Sequence, residues 1–184
     1  MCDKGRRAWL SMLQIFQVAE TGTWMIELTG GCQCGAIRYA LSERPRNVHV
    51  CHCRMCQKAV GGPFAVICPV LKPAFRLTRG NLSYFMSSGV GRRGFCSECG
   101  TPLTFDYPDG DDIGVLVGTL DDPSQAPPEN QYGNESRVSW YPNLTNVPGD
   151  HPTYADHPEM RLRISSTNRQ HPDHDTYIWP PAEV

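Results

Sequence analysis

Cys51-His52-Cys53-Arg54-Met55-Cys56 places three thiols within six residues. Three sulfurs this close can meet at one point without any long-range folding. Thiolates suit a soft, tetrahedral ion such as zinc. Three ligands leave one coordination position open, the arrangement that a reactive zinc needs. Cys32-Gln33-Cys34-Gly35 lies upstream and Cys96-Ser97-Glu98-Cys99-Gly100 downstream. Their four thiolates complete a closed site. The simplest reading is four plus three: a structural zinc on Cys32, Cys34, Cys96 and Cys99, and a reactive zinc on Cys51, Cys53 and Cys56. If distant strands are pinned in this way, the fold is built around the metal.

The rest of the composition agrees with a zinc-pinned β domain. The chain has 184 residues, 17 of them glycine and 16 proline. Such a supply of turn formers favours a mainly β fold with many loops. Formal net charge is -2, which gives no global field for nucleic acid or a membrane surface. No apolar run is long enough to span a bilayer. The cysteine spacings read as metal ligands in a reducing compartment, so the expected location is cytoplasmic. The sequons at Asn81, Asn134 and Asn143 are then chance matches. No feature speaks to oligomeric state.

Three units are expected. Residues 1–24 read as a poorly packed extension. Residues 25–142 form the zinc-binding β domain. Residues 143–184 read as a Pro/His-rich tail with little core of its own. Within the domain, strands are expected at 25–29, 36–41, 48–50, 64–68, 75–78, 82–85, 102–107 and 113–118, with Gly80-Asn81 as a turn between the fifth and sixth. Residues 57–60 read as one helical turn, stopped by Gly61-Gly62-Pro63. Trp140-Tyr141-Pro142 is expected to dock back on the domain. In the tail, the alternation of Met160, Leu162 and Ile164 predicts an edge strand, and His151, His157, His171 and His174 read as solvated.

Each cluster has a competing interpretation. The Cys32/Cys34 and Cys96/Cys99 knuckles could be unrelated core cysteines, but their spacing favours metal. The triplet could borrow Cys68 as a fourth ligand, or Cys53 and Cys56 could be a redox pair. Cys68 sits in an apolar run and reads as an inert buried thiol. A redox pair lacks a thioredoxin-like context and leaves Cys51 unexplained. His52 lies between two ligands, and strand alternation turns it away from them, toward a supporting or solvent-facing role. Three thiolates on a zinc dication leave a net charge near -1, so cations should gather nearby. Arg54, Lys58, Arg92 and Arg93 are the candidates, with ordinary surface charge as the alternative for each.

Gly30-Gly31-Cys32-Gln33-Cys34-Gly35-Ala36-Ile37-Arg38-Tyr39, the Cys51–Cys56 stretch with Gly61, Gly62 and Phe64, and Phe95-Cys96-Ser97-Glu98-Cys99-Gly100-Thr101-Pro102-Leu103 resemble the glutathione-dependent formaldehyde-activating enzyme family. That family also holds the centromere protein V-like proteins. Gly118-Thr119-Leu120-Asp121-Asp122-Pro123 is similar to its later strand and loop. The resemblance implies a β-tent fold of small twisted antiparallel sheets pinned by zinc, with two zinc ions per chain on the cysteines named above. It implies a carbon–sulfur lyase that exchanges S-hydroxymethylglutathione with glutathione and formaldehyde. A small-molecule thiol and an aldehyde would be the partners, with glutathione as co-substrate. Arg54 and Arg93 are expected to steer the glutathione carboxylates. Where many members carry a His after the Pro-rich loop, this chain has Gln131, while the Trp that follows is present as Trp140. The alternative function is a non-catalytic, zinc-stabilised protein-binding module of the centromere protein V-like type. Only the enzyme needs an open metal position beside a pocket.

Overall fold

The structure, a computed structural model, describes residues 27–149 and 154–179. The expected extension at 1–24 lies outside the described residues. The described chain is mainly β, with two sheets. Strands β1 (Leu28–Gly31), β2 (Arg38–Leu41) and β5 (Phe75–Arg79) form a three-stranded sheet in the order β1-β2-β5. The second sheet adds β3 (His49–Cys51), β4 (Ala65–Leu71), β6 (Ser83–Met86), β7 (Arg92–Phe95), β8 (Pro102–Asp106), β9 (Asp112–Leu116) and β10 (Asn130–Tyr132). Its order is β10-β3-β4-β9-β8-β7-β6. Among the described residues two α-helices, α1 (Arg54–Val60) and α2 (Pro158–Thr167), accompany the strands, with short 3-10 turns between elements.

The core lies where apolar residues of both sheets meet. Tyr39 and Leu41 of β2 are buried in one cluster with Cys68 and Val70 of β4, Leu103 of β8 and Val115 of β9. Burying side chains of this size is the main favourable term in the fold. Tyr39 carries a hydroxyl into this core, and Thr119 Oγ1 meets it at 2.8 Å. Pro69 sits inside β4 yet costs no ladder bond. Its carbonyl accepts from Arg46 N–H at 2.9 Å, beyond the end of β3. In an extended residue N and C=O face the same side, so the missing donor also faces that gap.

The turn expected at Gly80-Asn81 is present, and three other sequence expectations change. The strands on either side of Gly80-Asn81 do not pair with each other. β5 pairs with β2, while β6 pairs with β7 in the other sheet. Gly80 is at φ 67, and a Cβ there would lie 2.2 Å from the carbonyl oxygen of Ala36. Only glycine fits where the chain changes sheets. The sheets are not wholly antiparallel, because β10 pairs with β3 in parallel. The strand expected at Met160–Ile164 is the helix α2 instead. Pro158 in its first turn and Glu159 beside it are helix-start signals that outweigh a short alternation. Finally, the helical turn expected at 57–60 starts earlier, at Arg54.

Candidate metal centres

The two knuckles come from different sheets. Cys32 and Cys34 lie in the β1–β2 turn, Cys96 and Cys99 in the β7–β8 turn. Their four sulfurs all lie within 4.8 Å of one another. The Cys32–Cys34 separation is 3.6 Å and Cys34–Cys96 is 3.9 Å. Tetrahedral ligation at a zinc–sulfur bond of 2.3 Å requires edges of about 3.8 Å. This set therefore fits a zinc ion, and an ion there would tie the three-stranded sheet to the seven-stranded one. Backbone N–H groups face the sulfurs, with Ile37 N–H donating to Cys32 Sγ at 3.2 Å. Burial pushes the Cys34 thiol up to about 12, with Cys99 and Cys32 adding to the rise. Burial also opposes ionisation of Cys99, yet donors on Thr101 carry its thiol down to about 6. A cation among the four sulfurs would favour their thiolate forms.

The triplet is assembled by β3, α1 and β10. Cys51 ends β3, and Cys53 caps α1, its sulfur accepting from Cys56 N–H at 3.4 Å. This cap explains why the helix begins at Arg54: the ligand spacing and the helix start are one device. Cys51 and Cys53 sulfurs are 3.5 Å apart, and all three lie within 4.8 Å of one another. The spacing again fits ligation by three thiolates. Burial lifts the Cys51 thiol to about 12, reinforced by Cys56 and Cys53. Cys53 is lowered despite burial, because N–H groups of Cys56 and Met55 and the neighbouring thiols favour its anion. Cys68 packs in the main core instead, its thiol donating to the Val115 carbonyl at 3.3 Å. It is separate from both sets.

His52 is neither exposed nor aimed at solvent. It is fully buried, with its ring 4.6 Å from Tyr141 and 5.8 Å from Phe64. Its Nε2 meets Gln131 Oε1 at 3.1 Å, so Gln131 supports His52 from β10. Gln57 Nε2 donates to the His52 carbonyl at 2.6 Å and to the Ser136 carbonyl at 3.0 Å. Tyr141, rather than the half-exposed Trp140, is the aromatic that docks.

The candidate cations separate. Arg93 is buried, with its guanidinium 4.9 Å above the Phe105 ring, and it donates to Cys56 Sγ at 3.5 Å. Arg92 instead forms a fork with Asp106 at 2.9 and 3.1 Å and lies over Tyr84. Arg54 donates to Gln57 Oε1. Arg54, Lys58 and Arg93 all line a cavity of about 500 Å³ beside α1. Among the described residues, no carboxylate lines it.

A set of residues without a sequence signal covers the first knuckle. His171, read from sequence as solvated, is buried, its N–H donating to the Gln33 carbonyl at 2.7 Å. Gly35, at φ 79, leaves the space that the His171 ring occupies; a Cβ would lie 2.1 Å from His171 Cδ2. Asp175 pairs with buried Arg38 at 2.6 Å, and Asp121 forks the same guanidinium at 2.8 and 2.5 Å. Trp179 Nε1–H donates to the Cys34 carbonyl at 2.7 Å. Residues 170–179 thus return as a strap across Gln33–Gly35, while α2 before them is exposed. A chain ending at Arg169 is expected to lose about 2 kcal/mol, because hydrogen bonds to charged groups are forfeited. A melting temperature lower by roughly 4–8 °C checks this. An unchanged melting curve would show that the strap contributes nothing.

The family model of the glutathione-dependent formaldehyde-activating enzyme matches residues 27–135, more than half of the chain. The chain belongs to this family. An uncharacterized lyase of Schizosaccharomyces pombe is 36% identical over 87 residues, which are 47% of this chain and 62% of the relative. The chain thus spans less than two thirds of that relative's length. A crystal structure of a Rhodobacter sphaeroides protein aligns with a TM-score of 0.46 at 22% identity, over 56% of this chain and 98% of that one. All seven clustered cysteines fall inside the stretch matched to the formaldehyde-activating family, whereas His171, Asp175 and Trp179 fall outside it.

Proposed function

We propose that the chain is a zinc-dependent carbon–sulfur lyase acting on thiol–aldehyde adducts, with S-hydroxymethylglutathione as its reference substrate. The carrying observation is Arg93, which touches Cys56 Sγ and also lines the adjoining cationic cavity. It connects a three-thiolate donor set to a place where an anion can lie. Cys32, Cys34, Cys96 and Cys99 hold a structural zinc, and Cys51, Cys53 and Cys56 a reactive one. A zinc ion held by those three cysteines would favour a further sulfur bound beside them as its thiolate.

The protein's own groups do the rest. Arg54, Lys58 and Arg93 offer charge-assisted hydrogen bonds to the glutathione carboxylates and so fix the thiol relative to the triplet. Arg93 also offsets the negative charge of the triplet through its contact with Cys56. The buried His52, held between Gln131 and Tyr141, keeps water from the back of β3. In cleavage the adduct hydroxyl loses its proton to solvent and the carbonyl forms. The carbon–sulfur bond breaks with its electron pair left on sulfur. In synthesis the thiolate attacks the aldehyde carbon and the new alkoxide takes up a proton.

The test is magnetisation exchange between free formaldehyde, glutathione and their adduct in the presence of zinc-loaded protein. The expected result is faster exchange than in buffer. Arg93→Gln is expected to lower kcat/KM about tenfold or more, mostly through KM, since a hydrogen bond to a charged group is lost. Arg93→Lys should recover part of it. If wild-type protein neither binds glutathione nor speeds exchange, the chain is a zinc-stabilised binding module instead.

A further inference from the structure

The cavity beside α1 has apolar walls as well as cations. Met55 and Ala59 of α1 form one wall, and Phe85, Phe95 and Pro102 the other, around about 500 Å³. Met55 is 53% exposed and Phe85 63% exposed, so two large apolar side chains stand uncovered where the cavity opens. Glutathione alone does not satisfy this lining. Its carboxylates match Arg54, Lys58 and Arg93, but its polar backbone has little apolar surface to lay on five apolar residues. Formaldehyde brings none.

We infer that the site takes thiol adducts whose aldehyde carries an apolar alkyl or aryl group, seated against Met55, Phe85 and Phe95. The inference rests on the lyase reading of the same site. The bond change is the one already described: the adduct RS–CH(OH)R′ yields the thiolate, a proton and the aldehyde R′CHO. Only R′ differs, from hydrogen to an apolar chain. Charge complementarity places the thiol half at the cations, which leaves the apolar walls to R′.

Unreactive S-methyl-, S-propyl- and S-hexylglutathione are the probes, titrated calorimetrically into the zinc-loaded full chain. Affinity is expected to rise roughly three- to fourfold for each methylene buried. Phe85→Ser should flatten this series, and adducts of hexanal should be cleaved with a higher kcat/KM than those of formaldehyde. Equal affinity across the series overturns the inference but leaves the lyase reading intact, provided formaldehyde exchange is still accelerated. No binding by any probe also overturns it, and loss of formaldehyde exchange as well would remove the lyase reading. A slope that survives Phe85→Ser overturns it by placing the apolar group elsewhere. A flat series together with self-association that Phe85→Ser abolishes would assign the walls to a second copy of the chain.

Discussion

Cys32→Ser is expected to leave no soluble folded domain. Cys32 is almost fully buried and belongs to the main core, with its sulfur 3.6 Å from Cys34. A hydroxyl there is a poor zinc ligand and a poor apolar filler. The four-sulfur set joins turns from two different sheets, so losing an ion held there would separate elements that share one core. Structural zinc contributes about 10 kcal/mol or more to small metal-dependent folds. That is comparable to the whole stability of a typical domain, roughly 5–15 kcal/mol. Circular dichroism and metal content of the purified variant check this. A folded variant with undiminished zinc would refute the structural assignment.

Cys53→Ala is expected to behave in the opposite way: the fold survives and adduct exchange disappears. The triplet lies outside the main core, in a smaller cluster around α1 and β4. The structural cost is the lost N-cap, about 1 kcal/mol. Cys53→Ser separates the two roles of this residue. Serine is a good cap, so stability should return, but it does not replace a thiolate ligand and activity should not. Zinc content is expected to fall from two ions to one in both variants. Exchange that persists in either one would place the chemistry elsewhere.

The sequence made the cysteine sets legible because metal ligation imposes local spacing, and C-x-C and C-x-x-C survive any ambiguity about strands. Most strands were legible for a similar reason, since an apolar run bounded by Gly and Pro needs no partner to be recognised. What failed was partnership. Gly80-Asn81 announces a turn but not the sheet that the chain enters next, which depends on how closely Ala36 approaches. His52 obeys alternation, yet what it meets is set by Gln131 and Tyr141, which are far along the chain. In the sequence Arg93 shows only its charge, and the structure supplies the Cys56 contact that separates it from Arg92. The strap had no signal at all. His171, Asp175 and Trp179 stand among prolines and charges with no apolar pattern, and Asp175 lies 137 residues from the arginine it meets.

The separation between ligands also sets an order of assembly during synthesis. The sulfurs of Cys51, Cys53 and Cys56 span six residues, so they can gather as soon as that stretch leaves the ribosome. Cys34 must wait for Cys96, 62 residues later. At roughly 5–20 residues per second that wait lasts about 3–12 s. Trp179 reaches the Cys34 carbonyl across 145 residues, so the strap arrives last of all. The triplet therefore completes its donor set first, while Cys32 and Cys34 leave the ribosome earlier still and wait without their partners. A cell making this protein under oxidative stress would hold Cys32 and Cys34 open to oxidants for the whole of that wait.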